Sequence, residues 1–187
     1  MGKRVCPVWV GYLLASPVRR LFENPEKMFD PYVEEGMKVL DIGCAMGFFS
    51  LPFARMVGAN GKVVCVDVQE KMIRSLEKRA QKAGLSDRIE TRVCQPNSLN
   101  LGGLKEDIDF AVALAVVHEV PDVPDFFSET YETIKQAGKF LVAEPKGHVS
   151  EEEFDTAVSH AGQNGFEIIE RPRIGRYHTV LLGKKGK

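Results

Sequence analysis

The sequence predicts an α/β fold in which a mostly parallel sheet is covered by helices on both faces. Short apolar runs typical of strands alternate along the chain with amphipathic helical patterns, as expected for such a sheet. A loop of small residues follows the first apolar run, where open α/β sheets carry ligand-binding turns. The last two strand-like runs are separated only by Pro172–Arg176, which predicts an antiparallel hairpin at the end of the sheet.

Seven runs predict the strands. The first, Met37–Ile42, ends directly before the small-residue loop, and the fourth is Ile108–Leu114. The longest uninterrupted apolar run, Phe110–Val117, is far too short to cross a bilayer and indicates a buried central strand. The other predicted strands are Lys62–Val66, Arg88–Val93, Lys139–Ala143, Phe166–Arg171 and Tyr177–Leu182.

Helix signals lie between the strands. Pro52 stands near the first turn of the segment after the small-residue loop, where a missing amide hydrogen costs least. Ser150 followed by three glutamates predicts a capping box at a helix start. Before the first strand, Ser16–Pro17 and Asn24–Pro25 open two further helical patterns. Another helix is indicated by apolar residues that share one face and end before a glycine, namely Met72, Ile73, Leu76, Ala80 and Ala83 before Gly84.

Length and composition predict one globular domain over residues 1–187, with an N-terminal helical lid or cap segment at 1–36 and a core at 37–183. A chain of 187 residues with 44% hydrophobic content can bury one substantial core. Lys plus Arg (25) nearly balances Asp plus Glu (26), so a strong nonspecific attraction to nucleic acid is not expected.

Cysteine usage and the N-terminal residues predict a cytoplasmic protein. Gly11, Tyr12 and the early pair Arg19–Arg20 make the N-terminal segment a poor signal peptide. No Cys-x-x-Cys pair occurs, which argues against a zinc site and for reduced thiols at Cys6, Cys44, Cys65 and Cys94. We therefore expect no membrane span and no bound metal, while the oligomeric state stays open.

The stretch Asp41–Gly47 indicates the class of ligand. A loop that holds a dinucleotide pyrophosphate accepts negative charges at a helix N-terminus, so the Asp41 carboxylate beside it would repel that ligand. About twenty residues later Asp67 ends the second strand, where it can accept hydrogen bonds from vicinal ribose hydroxyls. The two acids together predict a nucleoside that carries an ammonium group, as S-adenosylmethionine does. The alternative for Asp41 is a strand-end residue that caps the next helix.

Val39–Gly47 resembles the first motif of class I S-adenosylmethionine-dependent methyltransferases, and Val64–Asp67 resembles their second. Asp109–Leu114 followed by Val117–Val120 resembles the fourth strand and the loop after it, particularly in ubiquinone and menaquinone C-methyltransferases and arsenite methyltransferases. Lys135–Phe140 resembles the turn before the fifth strand. The motifs stand in the family's order and cover most of the chain, which makes the set more specific than any single glycine loop.

The resemblance implies a doubly wound, Rossmann-like sheet of seven strands with an antiparallel last strand, and S-adenosylmethionine bound across the ends of the first two strands. Gly43 and Gly47 would leave room for that cofactor. Ala45 replaces a glycine of many relatives and is expected to keep its backbone out of glycine-only angles. The implied cofactor residues are Asp41, Gly43, Cys44, Gly47, Asp67, Val68 and Gln95.

Three residues are candidates to act on a methyl acceptor. His118 follows the fourth strand, whereas Glu144 and His148 follow the fifth. Such side chains can remove a proton or anchor a substrate. His118 could equally pack beside the adenosine, and His148 with Lys146 could belong to a solvated loop. Cys6–Tyr12 could fold over the cofactor as a lid or simply pack on the surface.

The predicted function is S-adenosylmethionine-dependent methyl transfer to an unidentified small-molecule acceptor. A noncatalytic S-adenosylmethionine-binding module is an alternative, because a fold alone does not establish chemistry. A nicotinamide-dependent oxidoreductase is less favoured, because Asp41 and the final hairpin argue against it. Arsenite chemistry at Cys44 and Cys94 is a minor alternative, since dispersed cysteines are usually buried hydrophobes.

Overall fold

The computed structural model describes residues 23–185, which form two compact units, one ending at residue 94 and the other beginning at residue 95. The predicted lid Cys6–Tyr12 and the helix start Ser16–Pro17 lie outside the described residues. Within 23–185, no helix is both long and apolar enough to cross a membrane. The single-domain boundary stays a prediction.

The first unit contains three parallel strands and the helices between them. The N-cap Asn24 accepts a hydrogen bond from the Lys27 amide at the start of the first described helix. β1 pairs with β2, and β2 with β3, all in parallel. In chain order the elements are α1 Pro25–Phe29, β1 Lys38–Ile42, α2 Ser50–Met56, β2 Lys62–Asp67, α3 Glu70–Lys82, a 3₁₀ turn Ser86–Arg88 and β3 Ile89–Val93.

The second unit contains the remaining four strands. β4 and β5 are parallel, whereas β7 runs antiparallel to both β5 and β6, as the predicted final hairpin requires. Its elements are β4 Ile108–Leu114, a 3₁₀ turn Val117–Glu119, α4 Val123–Thr133, β5 Ile134–Pro145, α5 Glu151–Gln163, β6 Phe166–Glu170 and β7 Tyr177–Lys184.

The sheet has seven strands in the order β3-β2-β1-β4-β5-β7-β6. Chain order reverses at β1, which is the topological switch point expected for a doubly wound sheet. The predicted fold class is therefore confirmed.

β5 begins earlier than predicted, at Ile134 rather than Lys139. Ile134 pairs with Ile108, but the next pair joins Lys139 to Phe110, so the intervening residues form an irregularity within the strand. The turn predicted there is thus an irregular part of the strand, which sequence patterns do not separate from a loop.

Aromatic packing fixes β5, whose C-terminal end carries Glu144. Phe140 on β5 contacts Phe126 and Phe127 of α4 at ring-centroid distances of 6.2 and 6.0 Å. Phe166 at the start of β6 lies 5.8 Å from the Phe140 ring. All four rings are buried, so they hold the helix and the strands in one arrangement.

The capping box predicted at Ser150 is confirmed. The Ser150 Oγ accepts from the Glu153 amide at 3.2 Å, and the Glu153 carboxylate accepts from the Ser150 amide at 2.9 Å. This cap ends the segment that follows β5 and starts α5.

We predict that Ser150→Ala lowers the free energy of unfolding by about 1 kcal/mol, because the α5 N-terminus loses a capping acceptor. Urea denaturation measures the loss. The control Ser159→Ala changes an exposed serine inside the same helix and should leave stability unchanged or slightly raised. Equal losses in the two variants would contradict the assignment.

Candidate functional site

The small-residue loop after β1 is held against the end of β2 by backbone hydrogen bonds. The Gly43 and Cys44 amides both donate to the Val66 carbonyl oxygen, at 2.8 and 3.0 Å. The Gly47 amide donates to the Cys44 carbonyl at 2.9 Å and closes the turn. The loop therefore has a defined shape set by its neighbouring strand.

Three residues of this loop have left-handed backbone conformations. Gly43 has φ 73°, Ala45 has φ 46° and Gly47 has φ 81°. Ala45 thus adopts a left-handed conformation that favours glycine but that other residues can also adopt. A non-glycine residue held in this region stores strain of about 1–3 kcal/mol, which neighbouring contacts must offset.

Gly47 is required by packing within the protein. A Cβ at this position would lie 2.3 Å from Cδ1 of Leu76, which is fully buried on α3. The sequence interpretation explained this glycine by the approach of a cofactor, and that role stays a prediction beside the contact with α3. A side chain here would force the buried Leu76 side chain to shift and would hold a non-glycine residue at φ 81°.

Asp67 connects the end of β2 to the loop. Its Oδ2 accepts from the Ala45 amide at 2.9 Å, and its Oδ1 accepts from the Gln69 amide at 2.8 Å. Burial raises the pKa of this carboxyl above its usual value, and the two backbone hydrogen bonds partly offset the rise. Each oxygen keeps a second acceptor position, so the carboxylate fits a ligand that presents two hydroxyl donors. Val68, half-buried, follows directly.

Asp41 is almost fully buried at the end of β1, with 4% of its surface exposed. Its Oδ2 accepts from the Ser50 hydroxyl in the first residue of α2 at 2.5 Å. Burial raises the pKa of Asp41 from 3.8 to about 7; the Ser50 hydrogen bond lowers it and the Asp67 charge raises it further. A cationic group placed nearby would favour the ionised form. This contact is not a helix cap, because the N-cap of α2 is Phe49 and no side chain accepts from its first amides. The capping alternative for Asp41 is therefore not supported, and its role toward a cofactor stays a prediction.

Cys44, in the loop next to these acids, is buried. Burial raises the pKa of Cys44 well above its usual value, and Cys65, Asp41 and Asp67 raise it further. Because the thiolate is the form that binds soft ions or attacks, this environment disfavours thiol chemistry at Cys44.

Sequence reasoning missed Arg79 and Ser50. Arg79, in the last turn of α3, donates from its guanidinium to the Met46 carbonyl oxygen of the loop. It lies 33 residues from Met46 in sequence. No local sequence pattern predicts such a contact, because a basic residue near a helix C-terminus is common for electrostatic reasons alone.

Gln95, a candidate for the adenine contact, is exposed in a tight turn. Its backbone amide donates to the Ser98 carbonyl oxygen at 2.9 Å, and the Ser98 backbone amide donates to the Gln95 carbonyl oxygen at 3.2 Å. The role of its side chain stays a prediction.

In the second unit, two candidate residues from different strands meet directly. His118 Nδ1 lies 2.5 Å from Glu144 Oε2. The other oxygen, Glu144 Oε1, accepts from the Val116 and Val117 amides at 3.0 and 2.7 Å. Glu144 is 1% exposed, so a buried carboxylate at the end of β5 organises the turn that follows β4.

His148 lies beside this pair. Its ring is stacked on that of His118 with centroids 6.4 Å apart and planes at 27°. The nearest described carboxylate oxygen to His118 Nε2 is Oε1 of Glu119, at 4.0 Å, beyond hydrogen-bond distance. The three catalytic candidates are thus neighbours within one unit. In the part of the chain that the structure describes, no cluster of His, Cys, Asp and Glu could hold a metal ion.

Comparison with known proteins identifies relatives of the chain. Residues 33–176 match the family described as "Methyltransferase domain". The ubiquinone biosynthesis O-methyltransferase of Rhizobium etli is 34% identical over 137 residues, which is 73% of this chain and 51% of that protein. A ubiquinone/menaquinone biosynthesis C-methyltransferase of Haemophilus ducreyi is 30% identical over 143 residues, 76% of this chain and 52% of that one.

A solved structure has the same fold. The SAM-dependent methyltransferase from Aquifex aeolicus aligns over 95% of this chain and 98% of its own, with a TM-score of 0.83 and 24% identity. The chain spans only 33% to 51% of the length of the first curated relatives that it matches.

We predict that Gly47→Ala and Ala45→Gly differ sharply in stability. Gly47→Ala should lose about 1–3 kcal/mol of unfolding free energy, since it strains the backbone and displaces buried Leu76. Ala45→Gly should stay within about 0.5 kcal/mol of wild type, because relief of left-handed strain offsets the added freedom of the unfolded chain. Urea denaturation measures both, and similar losses would contradict the argument.

We also predict that stability falls as pH rises through the range in which Asp41 ionises. Its pKa is 3.8 in the unfolded chain and about 7 when folded, so between these values the folded protein holds the extra proton. The Asp41 contribution is complete below the lower pKa and is lost towards the higher one, by about 1.4 kcal/mol per pH unit.

Because other groups titrate over the same range, the difference in unfolding free energy between wild type and Asp41→Asn isolates this effect. Asparagine keeps an acceptor for Ser50 but cannot ionise, so the variant should gain relative to wild type from pH 4 to 7. A difference that does not vary with pH would contradict the prediction.

Proposed function

Because the chain belongs to the methyltransferase domain family, we propose that it transfers a methyl group from S-adenosylmethionine to a small-molecule acceptor. One observation carries the proposal: the Asp67 carboxylate at the end of β2 accepts the Ala45 amide of the glycine loop at 2.9 Å. This contact puts a partly satisfied carboxylate at the base of a tightly turned loop. Such an arrangement suits a nucleoside with free ribose hydroxyls.

The residues present fit S-adenosylmethionine, which would supply a methyl group on a positively charged sulfur. Asp67 would accept from the ribose hydroxyls through the acceptor positions that its two backbone donors leave unused. Asp41 would balance the charge of the ammonium end and ionise in doing so. The loop at Gly43, Cys44 and Gly47 would lie along the ligand. Val68 and Gln95 would contact the base.

On the acceptor side, we assign His118, Glu144 and His148 to the methyl acceptor. Their contacts support this, since a histidine joined to a buried carboxylate is a common arrangement for moving protons. Two relatives are named as an O-methyltransferase and a C-methyltransferase of quinone biosynthesis. A hydroxylated ring compound is therefore a reasonable acceptor class, although these names differ in the atom methylated.

Competing functions give different results in a simple comparison. A nicotinamide-dependent oxidoreductase would be stabilised against heat by NAD rather than by S-adenosylmethionine. A noncatalytic module would be stabilised by S-adenosylmethionine but would form no S-adenosylhomocysteine when supplied with metabolite extracts.

We propose the cytoplasm as the location, with the described Cys44 and Cys65 as buried thiols.

We predict that Asp67→Ala weakens S-adenosylmethionine binding about tenfold or more, because a hydrogen bond to a charged group contributes roughly 1.5–3 kcal/mol. Calorimetry measures the affinity.

Asp67 also holds the loop, so a control must separate the two roles. An analogue without the ribose hydroxyls provides it. Wild type should bind this analogue weakly, and Asp67→Ala should weaken it little further. Equal additional losses for both ligands would mean that Asp67 acts on loop shape and not on the ribose.

A further inference from the structure

Two cationic residues lie opposite each other just beyond the last paired residues of β5 and β7. The last pair of this antiparallel ladder joins Pro145 to Tyr177. One residue further on, the Lys146 backbone amide donates to the Arg176 carbonyl oxygen at 3.0 Å. This hydrogen bond sets Lys146 and Arg176 opposite each other, and we call them the cation pair.

Among the described residues, neither side chain of the cation pair has a partner that balances its charge. Both are exposed, and neither takes part in an ion pair or a side-chain hydrogen bond within residues 23–185. Like charges directly opposite each other on neighbouring strands are destabilising. Arg171, in the same connection between β6 and β7, differs because its guanidinium donates to Asp155 at 2.8 Å. An anionic group bound at the cation pair would relieve its repulsion.

The register of the ladder relates the cation pair to Glu144, the carboxylate that meets the His118 ring. Glu144 is two residues before Lys146 and pairs with His178 on β7. Positions two residues apart along a strand share one face of the sheet. The cation pair therefore takes the next register position on the face of Glu144, about 7 Å further along the strand.

The turn after β5 also joins the cation pair to the candidate histidines. Lys146 lies in a turn that is closed by the His148 backbone amide, which donates to the Pro145 carbonyl oxygen at 2.9 Å. The His148 ring is stacked on the His118 ring with centroids 6.4 Å apart. The cation pair and the residues assigned to the methyl acceptor are thus neighbours within the second unit.

The carboxylates nearest to the cation pair in sequence leave its charge unbalanced. Glu144 is 1% exposed, and its oxygens are occupied by two backbone amides and an imidazole. Glu153 accepts from the Ser150 amide in the capping box. Glu151 and Glu152 lie in the first turn of α5, where the helix dipole favours acids. None of these four carboxylates forms an ion pair with either cation in the described structure.

We propose that Lys146 and Arg176 bind an anionic oxygen group of the methyl acceptor, a carboxylate or a phosphate ester, and so select acidic acceptors. The inference rests on the proposed function, because it concerns the substrate of the same site. Arginine offers a planar fork of donors and lysine a compact ammonium, and both form charge-assisted hydrogen bonds with such groups. The anionic group is separate from the atom that receives the methyl group, so the cation pair acts in binding.

The charge of the whole chain favours a small anion over a nucleic acid. Lys plus Arg (25) and Asp plus Glu (26) nearly balance, so the chain has no general excess of positive charge. Nucleic-acid affinity depends on many phosphate contacts with basic side chains. Two opposed cations match a single anionic group.

The first experiment measures anion binding and needs no acceptor. Benzoate and phenyl phosphate present the two anionic groups on a common ring, and benzamide is the neutral counterpart of benzoate. NMR titrations at constant ionic strength follow the backbone amide signals of Lys146 and Arg176. At least one anion should bind about tenfold more tightly than benzamide and shift these signals, as two exposed charge pairs would allow. Equal affinities, or shifts confined to other residues, would overturn the proposal.

Variants that remove one charge test the two side chains separately. Lys146→Gln and Arg176→Gln should each weaken binding of the preferred anion about threefold and leave benzamide binding unchanged. Lys146→Arg keeps the charge and should stay within about twofold of wild type.

The control Lys139→Gln removes an exposed lysine from the N-terminal part of the same strand. Lys139, too, forms no ion pair in the described structure, but it lies opposite Gly183 and not opposite a second cation. Anion binding should therefore be unchanged in this variant. Equal losses in all three glutamine variants would mean that only net charge matters, which would overturn the proposal.

The second experiment tests the acceptor class. A metabolite extract is separated by anion exchange into a retained acidic fraction and an unretained fraction, and formation of S-adenosylhomocysteine is measured with each. Formation with the acidic fraction alone supports the proposal, whereas formation with the unretained fraction overturns it. With the active acidic compound, Lys146→Gln and Arg176→Gln should raise KM about threefold and change kcat less than about twofold. Lys139→Gln should change neither.

Failure of the proposed function looks different. If S-adenosylmethionine binds but neither fraction yields S-adenosylhomocysteine, methyl transfer itself is wrong, and the acceptor assignment falls with it. The titrations with benzoate and phenyl phosphate still decide whether the cation pair binds anions.

Discussion

The hydrogen bond from the Ala45 amide to the Asp67 carboxylate is the interaction on which the candidate cofactor site depends. It joins the loop that leaves β1 to the end of β2. The same carboxylate also accepts a hydrogen bond from the Gln69 amide, directly before α3. The loop amides at Gly43 and Cys44 add two bonds to β2. Without Asp67, the left-handed backbone at Ala45 would lose the contact that offsets its strain. One side chain thus sets the shape of the loop and supplies its ligand-binding oxygens.

In the second unit, too, a carboxylate at a strand end accepts backbone amides from the segment that follows the neighbouring strand. Glu144 at the end of β5 accepts amides from the segment that leaves β4, its parallel neighbour, just as Asp67 on β2 does for the segment that leaves β1. Strain also recurs: Ala115, directly before Val116, has φ 59°. In both units a left-handed alanine follows a buried strand, and a carboxylate of the adjacent strand holds the backbone beside it. Such strained positions are kept where surrounding contacts determine them completely, which is typical of functional segments.

Much of the fold could be predicted from the sequence, because strands such as Lys62–Asp67 have an apolar interior and helix starts such as Ser150 carry their own capping residues. The start of β5 was not predicted, because pairing of Ile134 across an irregularity extends the strand. At the candidate site, residue types at strand ends identified Asp67, His118 and Glu144. Arg79 and Ser50 were missed because their roles arise from contacts between elements that are distant in sequence.

Burial of the Glu144 carboxylate costs desolvation free energy, which works against its contribution to stability. Burying a carboxylate costs free energy even when its oxygens are hydrogen-bonded, so its presence at the end of β5 is poor evidence of selection for stability. The Val116 and Val117 amides need an acceptor, but a glutamine oxygen could provide it. With both amides on its one oxygen, a glutamine would turn its NH₂ group, and not an acceptor, toward Nδ1 of His118. The carboxylate is therefore explained by its second oxygen, the one that faces His118, and not by the fold that it helps to hold.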